Sequence, residues 1–202
     1  MSITTIIGPM FSGKTTELIK LIERQRIADK KCVIIKHCID NRFDNNSSTT
    51  DIGIYHITTH SNICYSKCDI IYLTDLTDDT IINDLIEKYQ VVGIDEGFFF
   101  KDINNFCNEL ANSGILVIVS TLESSHKQTL FPDIGDLIGS SDRLFKLNAV
   151  CMRCKNNDAF FTIRTIESDK EILVGDEDMY QCVCRPCLNH FRSDKNKKLD
   201  CE

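Results

Sequence analysis

The stretch Gly8-Pro9-Met10-Phe11-Ser12-Gly13-Lys14-Thr15 constrains this chain more than any other. Its pattern is glycine, four residues, then Gly-Lys-Thr. An apolar, β-prone run, Ile3 to Ile7, precedes it, and a helical pattern from Thr16 to about Ala28 follows. Strand, glycine-bounded turn and helix is the context in which such a loop wraps a phosphate chain, because its backbone N–H groups and the helix N-terminus face the anion. Gly8, Pro9, Met10, Phe11, Ser12 and Gly13 would form the cradle. Lys14 would reach the β- and γ-phosphates, and the Thr15 hydroxyl would bind Mg²⁺. A chance turn between a core strand and a helix is the alternative, and the complete pattern in its required context argues against it. The loop points to a nucleoside triphosphate and leaves open where the phosphate goes.

A length of 202 residues suits one domain with a small appendage. The net charge of −7 argues against broad electrostatic binding of nucleic acid, and none is expected as a partner. No apolar run approaches the roughly 18 residues that span a membrane, and the apolar stretch before the loop is too short for a signal peptide. The reading is a cytosolic protein with no membrane partner. Eleven cysteines, an odd number, fit free thiols and metal ligands better than a disulfide framework in that setting.

Downstream, apolar runs alternate with helical periodicity. Cys32 to Lys36 reads as a buried strand, Asp69 to Leu73 as another, and Asp78 to Tyr89 as a helix. Val91 to Asp95 is a strand ending in acid, Asp102 to Ser113 a helix, Ile115 to Ser120 a near-continuous apolar strand, and Leu144 to Val150 the last candidate strand. Asp40 to Asp51 is polar and rich in turn formers, and Gly53 to Thr59 is a candidate short strand. The alternation predicts an α/β fold, a mainly parallel sheet flanked by helices, which with its phosphate loop is of the P-loop NTPase (RecA-like) type; the cysteine pairs further along the chain would add a small C-terminal zinc-ribbon domain. The expected divisions are 1–148 for the nucleotide-binding domain, 149–192 for the metal-binding domain and 193–202 for a flexible tail.

Asp95-Glu96 stands at the carboxyl end of a strand, the edge of a parallel sheet that faces the ligand crevice and from which the phosphate loop also departs. Asp95 would bind Mg²⁺, and Glu96 would be a general base, a role typically worth about 10²–10⁴-fold in rate. A solvated Asp-Glu turn is the plainer reading. If Glu96 activates water the protein is an ATPase; if it activates an alcohol it is a kinase.

Cys151-Met152-Arg153-Cys154 and Cys184-Arg185-Pro186-Cys187 are two C-x2-C knuckles. Together they can place four thiolates around a structural Zn²⁺. Cys182 is an alternative ligand, less favoured because the spacing of Cys184 and Cys187 mirrors that of Cys151 and Cys154. Between the knuckles, Phe160 to Arg164 and Glu171 to Val174 read as strands. Gly175-Asp176-Glu177-Asp178 reads either as the tip of a lid or as a solvated hairpin end.

The phosphate loop with Thr16-Glu17-Leu18, Ile94-Asp95-Glu96-Gly97 with Phe99-Phe100, Ala149-Val150-Cys151-Met152, and Asp178-Met179-Tyr180 with the second knuckle resemble, in order, the zinc-containing thymidine kinases. This is the type found in animal cytosol, in many bacteria and in large DNA viruses. The resemblance implies transfer of the ATP γ-phosphate to the 5′-hydroxyl of thymidine, with Glu96 as base and Lys14 assisting at the phosphates. Leu173, Val174, Gly175, Asp176 and Glu177, with Tyr180, would form a lasso over the thymine, and Phe99 and Phe131 would line the pocket. Cofactors would be structural Zn²⁺ and Mg²⁺ with ATP. The family implies a homotetramer and feedback by the product triphosphate, dTTP.

Departures from the family pattern fall around the acceptor. Phe98 replaces a glutamine, Ser124-Ser125 replaces Gly-Thr, and His126 stands at an aromatic pocket position. Asp51, a candidate Mg²⁺ contact, lacks the arginine that usually follows nearby. Two further functions suit the residues: a zinc-ribbon ATPase working on nucleic acid, and a weakened kinase homologue kept as a nucleotide-binding regulator.

Overall fold

The structure is a computed structural model that describes residues 1–39, 57–58, 64–169 and 173–199. In chain order its elements are β1 (Ser2–Ile7), α1 (Lys14–Ile27), β2 (Cys32–His37), β3 (Ile57–Thr58), β4 (Cys64–Tyr65), β5 (Asp69–Leu73), α2 (Asp79–Lys88), β6 (Val91–Ile94), α3 (Ile103–Asn112), β7 (Leu116–Thr121), α4 (Pro132–Ser140), β8 (Arg143–Lys146), β9 (Ala149–Val150), β10 (Asp158–Ala159), β11 (Phe161–Arg164), β12 (Tyr180–Val183) and α5 (Arg185–Leu199). Six strands form one sheet in the order β5-β2-β6-β7-β1-β8. Every neighbouring pair in it is parallel.

The uninterrupted apolar runs of the central strands follow from burial on both faces. Alternate residues serve opposite sides. Val33, Ile35, Val92, Ile94, Val117 and Val119 pack with Ile82 and Leu85 of α2, Ile103, Phe106 and Leu110 of α3, and Ile134 and Leu137 of α4. Ile6, Ile34, Val91 and Ile118 pack on the other face against Leu18 and Ile22 of α1. Each such side chain, fully buried, contributes about 1.5–3 kcal/mol. Asp78 caps α2, accepting from the Thr80 amide at 2.9 Å.

Several sequence expectations change. The run from Leu144 to Val150 is not one strand. β8 pairs with β1 as far as Ile7 and Lys146, the Leu147 amide makes a last bond to the Ile7 carbonyl, and β1 then turns into the phosphate loop. With no partner left, the chain crosses out and β9 pairs antiparallel with β10. The second change is α4, which the sequence reading lacks. Its signal is Pro132 at the start of the helix, with Ile134, Leu137 and Ile138 at helical spacing.

After β8, the chain builds a third apolar cluster around Ala149, Cys151, Ala159, Ile163, Cys182, Val183, Cys184 and Leu188. The hairpin of β11 and β12 forms its floor. Phe11, from the phosphate loop, packs against this cluster. Helix α5 continues through Leu199, into the stretch expected as a tail. Of the strand expected over Glu171 to Val174, Glu171 and Ile172 lie outside the described residues, and Leu173 and Val174 are not in a strand. No helix among the described residues is long and apolar enough to cross a membrane.

Candidate active site

The phosphate loop leaves β1 where its backbone must pass close to β8. A Cβ on Gly8 would lie 2.7 Å from the Leu147 carbonyl oxygen and 2.8 Å from Ser12 Oγ, so only glycine fits. Gly13, at φ 81°, occupies the left-handed region just before α1 begins at Lys14. The helix thus starts two residues before the Thr16 expected from periodicity. The Pro9 carbonyl accepts from Ser12 Oγ and from Lys14 Nζ, each at 2.8 Å. The Lys14 side chain is held against its own loop and is only 8% exposed.

Asp95 follows β6, a strand that is not adjacent to β1; β7 lies between them. All three strands converge at the carboxyl edge of the sheet. Thr15 Oγ1 donates to Asp95 Oδ1 at 3.1 Å, and Ser120 Oγ, from β7, donates to the same oxygen at 2.5 Å. Asp95 is 3% exposed. A carboxylate and a threonine hydroxyl in contact at the start of α1 are hard oxygen donors of the kind Mg²⁺ takes. Ser120 is a member of this group that sequence reasoning missed, since it reads as the end of an apolar strand. Asp51 lies outside the described residues.

Next in the chain, Glu96 adopts φ 51° and begins a tight turn through Gly97–Phe99. This turn re-aims the chain so that Glu96, Phe98 and Phe99 all line one cavity. Its other walls are Met10 from the phosphate loop, His126 and Phe131 from the segment after β7, and Leu173, Val174, Gly175 and Tyr180 from the C-terminal region. Phe98 stacks on Phe131 at 5.3 Å between ring centroids. Leu122, Ser124, Ser125 and Thr162 also border the cavity. Leu122 and Thr162 carried no signal in the sequence, being an apolar residue in a loop and a threonine in a strand.

Residues 173–179 form a strap along the cavity, and Tyr180 ties it down. Its hydroxyl donates to the Leu173 carbonyl at 2.8 Å, and its ring is 7% exposed. The Asp176 carbonyl accepts from the Met179 and Tyr180 amides, both at 2.9 Å, which closes the turn that reverses the strap. Asp176 and Glu177 form this turn and do not line the cavity; Glu177 is exposed. From the opposite side, Thr162 Oγ1 accepts from the Met10 amide at 3.0 Å, joining β11 to the phosphate loop.

The four knuckle cysteines converge: the sulfur atoms of Cys151, Cys154, Cys184 and Cys187 all lie within 4.8 Å of one another, a group that could hold a metal ion. Tetrahedral zinc with Zn–S bonds of about 2.3 Å requires sulfurs about 3.8 Å apart. Cys154 Sγ and Cys184 Sγ are 3.8 Å apart, so the donor set fits such an ion in both chemistry and spacing. Burial raises the Cys151 thiol, but the backbone amides of Cys154, Cys184 and Arg153 outweigh it, and Cys151 ends well below its ordinary value, at about 6. Cys182 stands outside this group, its thiol donating to the Val150 carbonyl at 3.3 Å.

A parallel sheet with a phosphate loop at its carboxyl edge, an aspartate locked to the loop's threonine, and a separate cavity bordered by that loop define a P-loop nucleotide-binding protein with room for a second substrate. Comparison with known proteins narrows this. A family profile described as thymidine kinase matches residues 1–188. The chain is 59% identical over 189 residues to a thymidine kinase of Acanthamoeba polyphaga mimivirus, covering 94% of this chain and 82% of that protein. It is 40% identical over 194 residues to thymidine kinase 1 of Dictyostelium discoideum, covering 96% and 80%. It is 41% identical over 185 residues to a thymidine kinase of vaccinia virus (strain Western Reserve), covering 92% and 95%. The chain belongs to the thymidine kinase family, and with it to the ATP-dependent nucleoside kinases.

Proposed function

We propose that this protein transfers the γ-phosphate of ATP to the 5′-hydroxyl of thymidine. The observation that carries the reading is one cavity bordered at once by the phosphate loop through Met10, by Glu96, and by the strap that Tyr180 holds down. ATP would lay its phosphates over Gly8 to Thr15, with backbone N–H groups around them. Lys14 would leave the Pro9 carbonyl for the β- and γ-phosphates. Thr15 and Asp95 would hold Mg²⁺, which neutralises charge on the phosphates when bound. Glu96 would accept the proton of the 5′-hydroxyl as its oxygen attacks the γ-phosphorus and the bond to the β-phosphate oxygen breaks.

The thymine would lie between the aromatic wall of Phe99 and Phe131 and the strap, which offers backbone groups of Leu173 to Gly175 for hydrogen bonding. His126 would present a polar ring edge to the same base. The cysteine centre would hold structural zinc and anchor both ends of the hairpin carrying the strap. In solution the protein would be a homotetramer inhibited by dTTP.

A coupled assay of ADP release with Mg-ATP tests the reading. Turnover should require thymidine, and Glu96→Gln should lower kcat by at least about a hundredfold with KM for ATP little changed. Thymidine-independent ATP turnover stimulated by DNA would point instead to an ATPase. Full activity in Glu96→Gln would remove the assigned base.

A further inference from the structure

At the edge of the sheet opposite the phosphate loop, two cysteines share one apolar cluster and one surface recess. β2 and β5 are parallel, and their ladder starts with Val33 beside Asp69. One step earlier in each strand's path come Cys32, the first residue of β2, and Cys68, the residue just before β5. Neighbouring strands lie about 4.8 Å apart, within the roughly 4.4–6.8 Å over which a disulfide spans two Cα atoms. Both side chains belong to the face covered by α1: Cys32 is in the cluster with Leu18, Ile22 and Ile34, and Cys68 packs against it. Both are free thiols, Cys32 buried and Cys68 half-buried.

The two also border one surface recess, whose other walls carry Arg26, Lys30, Lys31, Lys67 and Lys88. Five cations around one recess contrast with the net charge of −7 over the chain. Carboxylates offset part of this: Glu23 accepts from Arg26 and lies 3.6 Å from Lys67, Asp84 pairs with Lys88, and Asp69 borders the recess itself. Burial pushes the Cys68 thiol up to about 12 and raises that of Cys32, so the pair rests protonated. None of these residues borders the cavity proposed for thymidine or the cysteine centre.

We propose that Cys32 and Cys68 form a reversible cross-strand disulfide by exchange with a small anionic disulfide drawn to this recess. Cys68 gives up its proton to water and, as the thiolate, attacks one sulfur of the small disulfide. Its S–S bond breaks, one thiolate leaves and takes up a proton, and a mixed disulfide remains on Cys68. The Cys32 thiolate then attacks the Cys68 sulfur and displaces the second small thiol. Two cysteine thiols are oxidised, one disulfide is reduced to two thiols, and residues 33–67 become a closed covalent loop. This pair takes no part in the proposed phosphoryl transfer, so either assignment can fail without the other.

The test uses the full-length, zinc-loaded, reduced protein with oxidised glutathione as the probe, followed by alkylation and peptide mass spectrometry. Alkylation at Cys32 and Cys68 should fall together by at least about tenfold. A linked peptide pair lacking two hydrogens should appear, and dithiothreitol should reverse it. The exposed Cys38 is the internal control for oxidant exposure. In Cys32→Ala, Cys68 should instead retain glutathione as a stable adduct. Recovery of both cysteines alkylated while Cys38 carries glutathione would overturn the proposal. So would an unmodified Cys68 in Cys32→Ala.

Discussion

Asp95 is held from two sides, by Thr15 of the phosphate loop and by Ser120 of β7. The second contact fixes the carboxylate so that one face stays turned toward the loop. Hydrogen bonds to charged groups are worth about 1.5–3 kcal/mol, so Ser120→Ala should cost roughly ten- to a hundredfold in kcat/KM and raise the Mg²⁺ concentration needed for half-maximal rate. Steady-state kinetics across a Mg²⁺ series measure both. A different residue sets an acid response. The hydrogen bond from Arg26, with help from Tyr65 and Lys67 and against the cost of burial, holds Glu23 at about 2, below its ordinary 4.5. A carboxylate with a depressed value stabilises the fold fully above its unfolded value, and that contribution is lost as pH falls through the folded one. Glu23→Gln should therefore lower Tm near neutrality, with the gap from wild type closing between pH 4.5 and about 2; calorimetry over that range reads it. Of these residues, the sequence marked Asp95 because it ends an apolar strand at the sheet edge from which the phosphate loop also departs. Ser120 gave no such sign, since its partner comes from a strand distant in the chain; Glu23 and Arg26 do stand three apart on α1, but the Tyr65 hydroxyl that joins them comes from a distant element.

The turn of Gly97–Phe99 converts a strand end into a cavity wall, and its first residue has no spare room. A Cβ on Gly97 would lie 2.8 Å from both Ile103 Cδ1 and Val119 Cγ1. Gly97→Ala should destabilise the protein by about 1–3 kcal/mol, as overpacking does, seen as a lower denaturant midpoint with an unchanged slope. It should also slow turnover, because Glu96 stands at the head of that turn. Elements with clean periodicity were legible beforehand: β2, β6 and β7 as apolar runs, α2 and α3 from their spacing. α4 was not. Its nine residues include Gly135 and Gly139, which dilute any helical signal, and tertiary packing of Ile134 and Leu137 holds it in place. α5 was hidden for another reason. Its sequence is mostly polar, and what secures it is Leu188 in the cysteine cluster and the ring of Phe191 beneath the Arg153 guanidinium at 4.9 Å. Neither contact is visible without knowing that the two knuckles meet.

The C-terminal cluster and the sheet are joined where function would need them to be, through Phe11 against the cluster and Thr162 on the Met10 amide. Removing the ion proposed for the cysteine centre should therefore affect both substrates. Chelation should abolish thymidine-dependent turnover, lower Tm, and raise KM for ATP in any residual activity; added zinc should restore all three. Loss of zinc with unchanged turnover would confine the ion to a role outside catalysis. The pairing of the knuckles was readable from spacing, but their joint grip on the phosphate loop was not, because it depends on where the hairpin of β11 and β12 lands.

The position of β1 inside the sheet has a consequence for how the chain is made. Its two neighbours, β7 and β8, begin at Leu116 and Arg143, so β1 emerges from the ribosome more than a hundred residues before either partner exists. Parallel pairing across such separations is slow, and apolar strands left waiting are prone to aggregate. During synthesis β1 and the phosphate loop behind it have no native sheet to join. The loop proposed to hold nucleotide is translated about a hundred residues ahead of both strands that fix β1 and, for want of those neighbours, must wait to take its native place.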